Sequence, residues 1–259
     1  MNAVAGLIIA CLALTAYGLP NPQIVGGSDA LDGAYPYQVS LRDNPFVPYR
    51  SHFCSGAIIS ERYIITSAHC IIPYLSLPYS VYAAVGSNNL DDIDVVLHPV
   101  RKLITHAGYN SELHIHDIGL IQVRNNIVFT EYVQPIALPT DDRNYGNYPL
   151  VATGWGRLWL GGPIPNHLQE IIVRGYESDY ANELCSKYEH TMCTYLGYSG
   201  QGMCHGDDGG PLVADNVLVG LVSYSYHPCT GGPDVYTKVF FYRSWIKYYT
   251  GMNISETDL

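Results

Sequence analysis

An all-β fold, a barrel or a sandwich, is what this sequence predicts. Three observations carry that expectation. Short runs rich in Val, Ile, Leu, Thr and Tyr recur along the chain, separated by Gly, Pro and Asn turns. The composition holds 23 Tyr and 25 Gly with only 14% charged residues, which favours strands and tight turns over long helices. One stretch alone, Tyr242 to Thr250, reads as helical.

Taken in order, strands are expected at Gln38 to Arg42, Ala57 to Ile59, Tyr63 to Ser67, Ser80 to Val85 and Val95 to Val96. Further strands are expected at Ile118 to Val123, Leu150 to Thr153, Gln169 to Arg174, Val217 to Ser223 and Val235 to Val239. Asp43-Asn44-Pro45, Gly161-Gly162-Pro163 and Gly231-Gly232-Pro233 are turn signals between them. Many short strands of this kind build barrels or sandwiches. Pro135 to Tyr148 is polar and aperiodic, and reads as a link between two halves.

The chain has 259 residues, 47% of them hydrophobic, enough for one compact domain or two small ones with a substantial core. A formal net charge of −10 without a basic run argues against nucleic acid as a partner. The acidity itself reads as solubility. Residues 1–18 are expected to be a signal peptide: Ala3 to Leu14 is an uncharged apolar run, and Ala16-Tyr17-Gly18 offers a cleavage site. No later segment has the roughly 18 apolar residues needed to span a membrane. A secreted, extracellular, monomeric protein without membrane partners is expected.

Cysteine usage agrees. Of the 7 cysteines, Cys11 lies in the expected leader. The other six, Cys54, Cys70, Cys185, Cys193, Cys204 and Cys229, read as a disulfide framework in a secreted chain, with the pairing open. No Cys-x-x-Cys pair suggests zinc. His114-Ile115-His116 would place two histidines on one face of a strand, which superficially suggests a metal. Metal sites need three or four convergent ligands, so none is expected, and no cofactor either. Asn253-Ile254-Ser255 is a glycosylation sequon.

Four motifs then coincide in order and spacing: Ile24-Val25-Gly26-Gly27, Thr66-Ser67-Ala68-His69-Cys70, His116-Asp117-Ile118-Gly119-Leu120, and Gly206-Asp207-Asp208-Gly209-Gly210-Pro211. Thr153-Gly154-Trp155-Gly156 and Pro233-Asp234-Val235-Tyr236 fall at matching intervals. Across residues 24–251 the chain resembles the chymotrypsin-like (trypsin family) serine proteases, and insect chymotrypsins in particular.

The resemblance implies two six-stranded antiparallel β-barrels, about 24–135 and 145–240, with a C-terminal helix. A pro-segment, 19–23, would precede them and a tail, 252–259, would follow. It implies disulfides Cys54 with Cys70, Cys185 with Cys193 and Cys204 with Cys229. His69 is the implied general base, Asp117 its orienting carboxylate and Ser223 a support for that carboxylate. The backbone N–H groups of Gly206 and Asp208 would form the oxyanion hole. Asp207 would pair with the α-amino group of Ile24 after activation. Gly202 would sit at the floor of the specificity pocket, with Met203 on one wall, Asp234 near the floor and Ser225 narrowing the slot.

Two departures stand out. The family motif is Gly-Asp-Ser-Gly-Gly-Pro, and here Asp208 replaces the nucleophilic serine. No single-base change turns a serine codon into an aspartate codon. Ahead of Ile24 stands Gln23, where active relatives carry Arg or Lys for tryptic activation. The leading expectation is a catalytically inactive homologue that binds peptides, inhibitors or cascade proteases in its cleft. The alternative is an active chymotrypsin-like endopeptidase in which Asp208 is a variant. The altered pocket fits either a slot narrowed by drift or a cleft that still holds a peptide.

Overall fold

The computed structural model describes residues 27–44, 51–176, 188–195 and 202–254. The first half contributes β1 (Ser28–Asp29), β2 (Gln38–Arg42), β3 (His52–Ile58), β4 (Tyr63–Thr66), β5 (Tyr82–Val85), β6 (Val96–Thr105) and β7 (Gly119–Val123). The second contributes β8 (Pro149–Gly154), β9 (Gln169–Arg174), β10 (Thr191–Thr194), β11 (Pro211–Ala214), β12 (Val217–Ser225) and β13 (Asp234–Lys238).

Strands β2-β3-β4-β7-β6-β5 close into a barrel, every pair antiparallel. The two-residue period of a strand explains how β2 serves two faces. Val39 and Leu41 point into the barrel core. Gln38, Ser40 and Arg42 alternate with them yet are also buried, because the second half covers that face. Part of their polar surface is engaged: Thr153 Oγ1 donates to Gln38 Oε1, Arg42 Nε donates to Ser40 Oγ, and Ser40 Oγ bonds His52 Nδ1.

The second half is a sheet in the order β1-β9-β8-β11-β12-β13-β10. A second six-stranded barrel was expected, and the structure qualifies it. The short β1 adds a seventh strand outside β9, and the ring of the other strands closes at a narrow seam. That seam is a bridge between Gly175 and Thr194, with Tyr176 N–H to Cys193 O at 2.8 Å and Tyr195 N–H to Arg174 O at 3.1 Å. β10 has only four residues, too few for a longer ladder.

Three apolar clusters hold the halves. One fills the first barrel around Val39, Ile58, Ile64 and Ile121. Another fills the second around Leu150, Val173, Leu212 and Tyr236. The third joins them: Ile104 and Leu120 meet Leu218 and Leu221, under Ile246 of the C-terminal helix (Arg243–Thr250). That helix ends at Gly251, whose φ of 69° is left-handed and whose N–H returns to Lys247 O at 2.9 Å, a glycine cap.

Several elements differ from the sequence expectation. Tyr242 belongs to a 3-10 turn, Val239–Tyr242, ahead of the helix. β6 runs for ten residues where only Val95 to Val96 was expected; Pro99 sits within it, paired with Tyr82 of β5. A one-turn helix, Ala68–Ile71, is too short to show a period. β10 and β11 are short and sit beside glycine- or proline-rich motifs that read as turns.

Cys54 bonds Cys70 and Cys204 bonds Cys229, as the resemblance implied. Cys193 is disulfide-bonded; its implied partner, Cys185, lies outside the described residues, as do the expected leader and pro-segment. The Cys54–Cys70 bridge ties β3 to the helix carrying His69 across a separation of 16 residues. A Cys54→Ala/Cys70→Ala double variant is expected to lose about 3 kcal/mol of stability. Urea denaturation read by fluorescence checks this, and an unchanged midpoint would show that the bridge staples nothing.

Candidate active site

β4 pairs with β7 in a register that sets Thr66 opposite Gly119. Three residues beyond Thr66 comes His69, and two before Gly119 comes Asp117, so one register brings both to the same barrel rim. The approach is close. A Cβ on Gly119 would meet Ile71 Cδ1 of the His69 helix at 2.6 Å, so a glycine there keeps helix and strand together.

Asp117 is fully buried and its carboxylate is saturated. Oδ1 accepts the His69 backbone N–H at 2.9 Å, and Oδ2 bonds His69 Nδ1 at 2.7 Å. The Ser223 hydroxyl donates to Oδ2 at 2.6 Å, from β12 of the other half. Thr237 Oγ1 donates to the Asp117 carbonyl at 2.7 Å. Ser67 Oγ reaches Val222 O at 2.7 Å. These bonds lock the two halves where the site lies.

Asp208 enters from the loop before β11. Its carbonyl accepts the Ser55 N–H at 2.8 Å, so β3 of the first barrel clamps it. Its Oδ1 stands 3.8 Å from His69 Nε2, and its Oδ2 accepts the Gly206 N–H at 3.3 Å. Gly206 has φ 106°, a conformation glycine tolerates. Its carbonyl is held at 3.0 Å by His52 Nε2. His52 is a positioning residue that sequence reasoning missed; a lone histidine two residues before Cys54 gives no signal. Burial first, and the positive Arg42 nearby, push its pKa down to about 4, against the pull of the Gly206 carbonyl. It is therefore neutral at pH 7.

Asp207 is buried and accepts N–H groups from Gly156 at 2.7 Å and Cys204 at 2.9 Å. Side chains at Gly154 or Gly156 would collide with this carboxylate, which accounts for both glycines of Thr153-Gly154-Trp155-Gly156. Burial, reinforced by the charges of Asp208 and Asp234, raises the Asp207 pKa to about 7 against those two N–H groups. Its expected partner Ile24 lies outside the described residues.

The chain matches the family model named Trypsin over residues 24–246. The chain belongs to the trypsin family. It is 43% identical over 231 residues to Chymotrypsin-2 of Vespa crabro, covering 86% of this chain and 98% of that one. It is 33% identical over 239 residues to Trypsin-1 of Astacus astacus, covering 86% and 98%. Among solved structures it resembles human heparin binding protein, with TM-score 0.78, 25% identity, and coverage of 91% of this chain and 100% of that chain.

Within this trypsin-family cleft, a cavity of about 320 Å³ is lined by His69, His114, Met203, Asp208, Tyr224 and Ser225, among others. Next to Met203 in sequence, Gly202 (φ 145°) leaves room for Asp234: a Cβ there would lie 2.8 Å from Asp234 Oδ2. That carboxylate accepts the Met203 N–H at 2.9 Å and a hydrogen bond from Ser225. Burial raises its pKa to about 7 despite both bonds. Met203 is itself almost wholly buried and packs into the second barrel's core.

One expectation is corrected. His114 and His116 do not share a strand face. Both lie in a turn with left-handed φ of 50° and 55°, so their rings diverge. His114 meets Tyr224 with ring centroids 4.9 Å apart, while His116 Nδ1 bonds Tyr242 Oη at 2.9 Å. Among the described residues, the donor atoms of Cys54, His69 and Cys70 lie within 4.8 Å of one another. Both sulfurs are consumed by their disulfide, so this set cannot hold an ion.

For His69, burial disfavours the charged ring, but the hydrogen bond and charge of Asp117, with the charge of Asp208, outweigh it and raise the pKa above 6.5. The protonated ring therefore stabilises the fold below about pH 6.5, the unfolded value, and that contribution is lost as pH rises through the elevated folded value. Proton NMR is expected to show His69 titrating above the ordinary histidine range in the natural protein. Asp208→Asn should lower that value, and an unchanged value would mean that Asp208 does not act on the ring.

Proposed function

We propose that this chain is a secreted trypsin-family protein that does not cleave peptides and acts by binding them. Its ligands would be peptide segments, inhibitors or cascade proteases held in the cleft. One observation carries the reading: the carboxylate of Asp208 lies where a nucleophile would stand, 3.8 Å from His69 Nε2, and takes the Gly206 N–H.

A carboxylate in that place fails three times. It has no hydroxyl proton for His69 to remove and no alkoxide to offer a carbonyl. It adds to the pull of Asp117 in favouring the charged imidazole, and a protonated histidine is a poor base. It also spends a donor that should face the developing oxyanion. Two negative charges about 4 Å apart repel by roughly 4 kcal/mol at an effective dielectric near 20. The rest of the site is better kept. Asp117, Ser223 and His69 retain their hydrogen bonds, and the cavity is within the order of ~300–1,000 Å³ typical of ligand sites.

The test is amidase activity on chymotrypsin-type peptide substrates, with the natural protein and Asp208→Ser both made to begin at Ile24. Turnover by the natural protein at an ordinary protease rate would favour the active endopeptidase instead.

A further inference from the structure

Behind Asp117, on the side away from the cleft, three histidines stack. The rings of His106 and His116 lie 4.6 Å apart at 33°, and those of His116 and His190 lie 4.6 Å apart at 25°. Rings face to face do not turn their nitrogens toward a common point, so the pile is not a ligand set. Each ring comes from a different segment. His106 follows β6, His116 immediately precedes Asp117, and His190 immediately precedes β10. Aromatic rings enclose the pile: Tyr188 at 5.2 Å from His190, Phe241 at 5.6 Å from His190, and Trp245 at 5.6 Å from His106. Tyr242 Oη bonds His116 Nδ1.

Its electrical surroundings offer little to offset a positive charge. Among the described residues none of the three histidines has a carboxylate oxygen within 4.0 Å. On the His116 segment the nearest acid, Asp117, is committed to His69 and Ser223. Tyr109 on that segment, Tyr188 beside His190, and Tyr242 below bring phenols only. Glu189 is exposed on the outer groove with Lys238 and Arg243. Lys238 pairs with Asp142 and Arg243 donates to Thr140 O. His190 is mostly buried, and its Nε2 has no hydrogen-bond partner.

We propose that the His106–His116–His190 stack is an acid-sensitive fastener that holds the turn carrying His114 and Asp117 in its site-forming conformation and releases it on protonation. While the rings are neutral they attract one another and pack with their aromatic neighbours. Two protonated rings at this spacing repel. The turn they hold is under tension already, with left-handed backbone at both His114 and His116. Release would move Asp117 at one end and the cleft wall at His114 together. The proposal needs neither Asp208 nor any cleft ligand, and stands apart from the reading of the site given above.

The acid sense of the device agrees with the environments of the two outer rings, His106 and His190. Burial first, then the neighbouring charge of His116, lowers the pKa of His106. Burial, then the charges of His116 and His106, lowers that of His190 to about 4. A folded value below the unfolded 6.5 means that the unfolded or opened state takes up protons first. The contribution of the stack is therefore whole above about pH 6.5 and falls away as pH drops toward the folded value.

The test is amide hydrogen exchange by mass spectrometry on the full chain, corrected for intrinsic rates, near pH 7.5 and near pH 5. In the natural protein, protection across residues 106–117 should fall by at least about tenfold, the factor one pKa unit is worth, while β4 and β9 hold theirs. His106→Phe/His190→Phe keeps flat rings in the pile but removes two of its charges, and should abolish the fall. An equal fall in this variant, or none in the natural protein, overturns the proposal. Should the variant not fold, histidine NMR of the natural protein decides. Depressed, mutually dependent titrations of His106 and His190 support the fastener, and independent titrations at ordinary values refute it.

Discussion

Asp208→Ser, in protein made to begin at Ile24, is expected to raise amidase activity by at least about 10⁴-fold over the natural protein. Removing the serine of an intact triad costs roughly 10⁶-fold and leaves about 10³-fold over water from the rest of the site. The carboxylate here should cost part of that residue as well, through repulsion of the oxyanion and through capture of the Gly206 N–H. A serine removes all these effects at once. The surroundings are ready for it: His69 is oriented by Asp117 at 2.7 Å, and the Gly206 carbonyl is pinned by His52 at 3.0 Å. Initial rates on chromogenic amides of aromatic and of basic residues would measure the gain, and comparing the two classes reads the pocket. No activity in either protein would place the loss in the cleft itself. Function would then lie on the outer surface.

In that revertant, Asp117→Asn should remove about 10⁴-fold of the recovered kcat, as this exchange does in serine-protease triads generally. The reason is visible in the bonding. Asp117 only accepts hydrogen bonds, from the His69 backbone, His69 Nδ1 and Ser223, and so fixes the proton on Nδ1 and the lone pair on Nε2. An amide can present its NH₂ to Nδ1 instead, which moves the proton to Nε2 and leaves no base facing the serine. KM should change little, because Asp117 is buried and touches no substrate. A loss in KM with kcat preserved would mean that the variant has reshaped the cleft.

Much of the fold could be read from residues alone. β2 and β9 were delimited to the residue, since each is a β-favouring run with clear turns around it. β12 extends past its expected end to Ser225 because Tyr224 and Ser225 pair with Val235 and Asp234 of β13. The elements that escaped are those whose local signal is outvoted by tertiary pairing. β11 begins at Pro211 inside a glycine motif, and β6 carries a proline mid-strand. Much of the site could be found from motifs, because His69, Asp117, Asp207 and Asp208 lie in contiguous signatures. Residues brought in by packing could not. His52, Tyr224 and His116 meet Gly206, His114 and His190, each more than 50 positions away in sequence, and nothing local marks those contacts. His114 and His116 illustrate the converse: a pattern that looks like one strand face is a left-handed turn that sends two rings to opposite sides of Asp117.

The hydrogen bond from Gly206 to Asp208 has a consequence for how this molecule could be addressed. A cleft of this kind is ordinarily tuned to an anion that exists only fleetingly, at the top of the reaction barrier. Here, on the proposed reading, a carboxylate belonging to the protein already takes one of the donors, the Gly206 N–H. Compounds that succeed by imitating that fleeting species, such as boronic acids and peptide aldehydes, meet an occupied seat and no hydroxyl to bond. Ligands that rely on backbone pairing along β12 and on the slot above Asp234 meet no such obstacle. A panel of both kinds would therefore sort in the reverse of the usual order, with extended peptide-like inhibitors ahead of warheads.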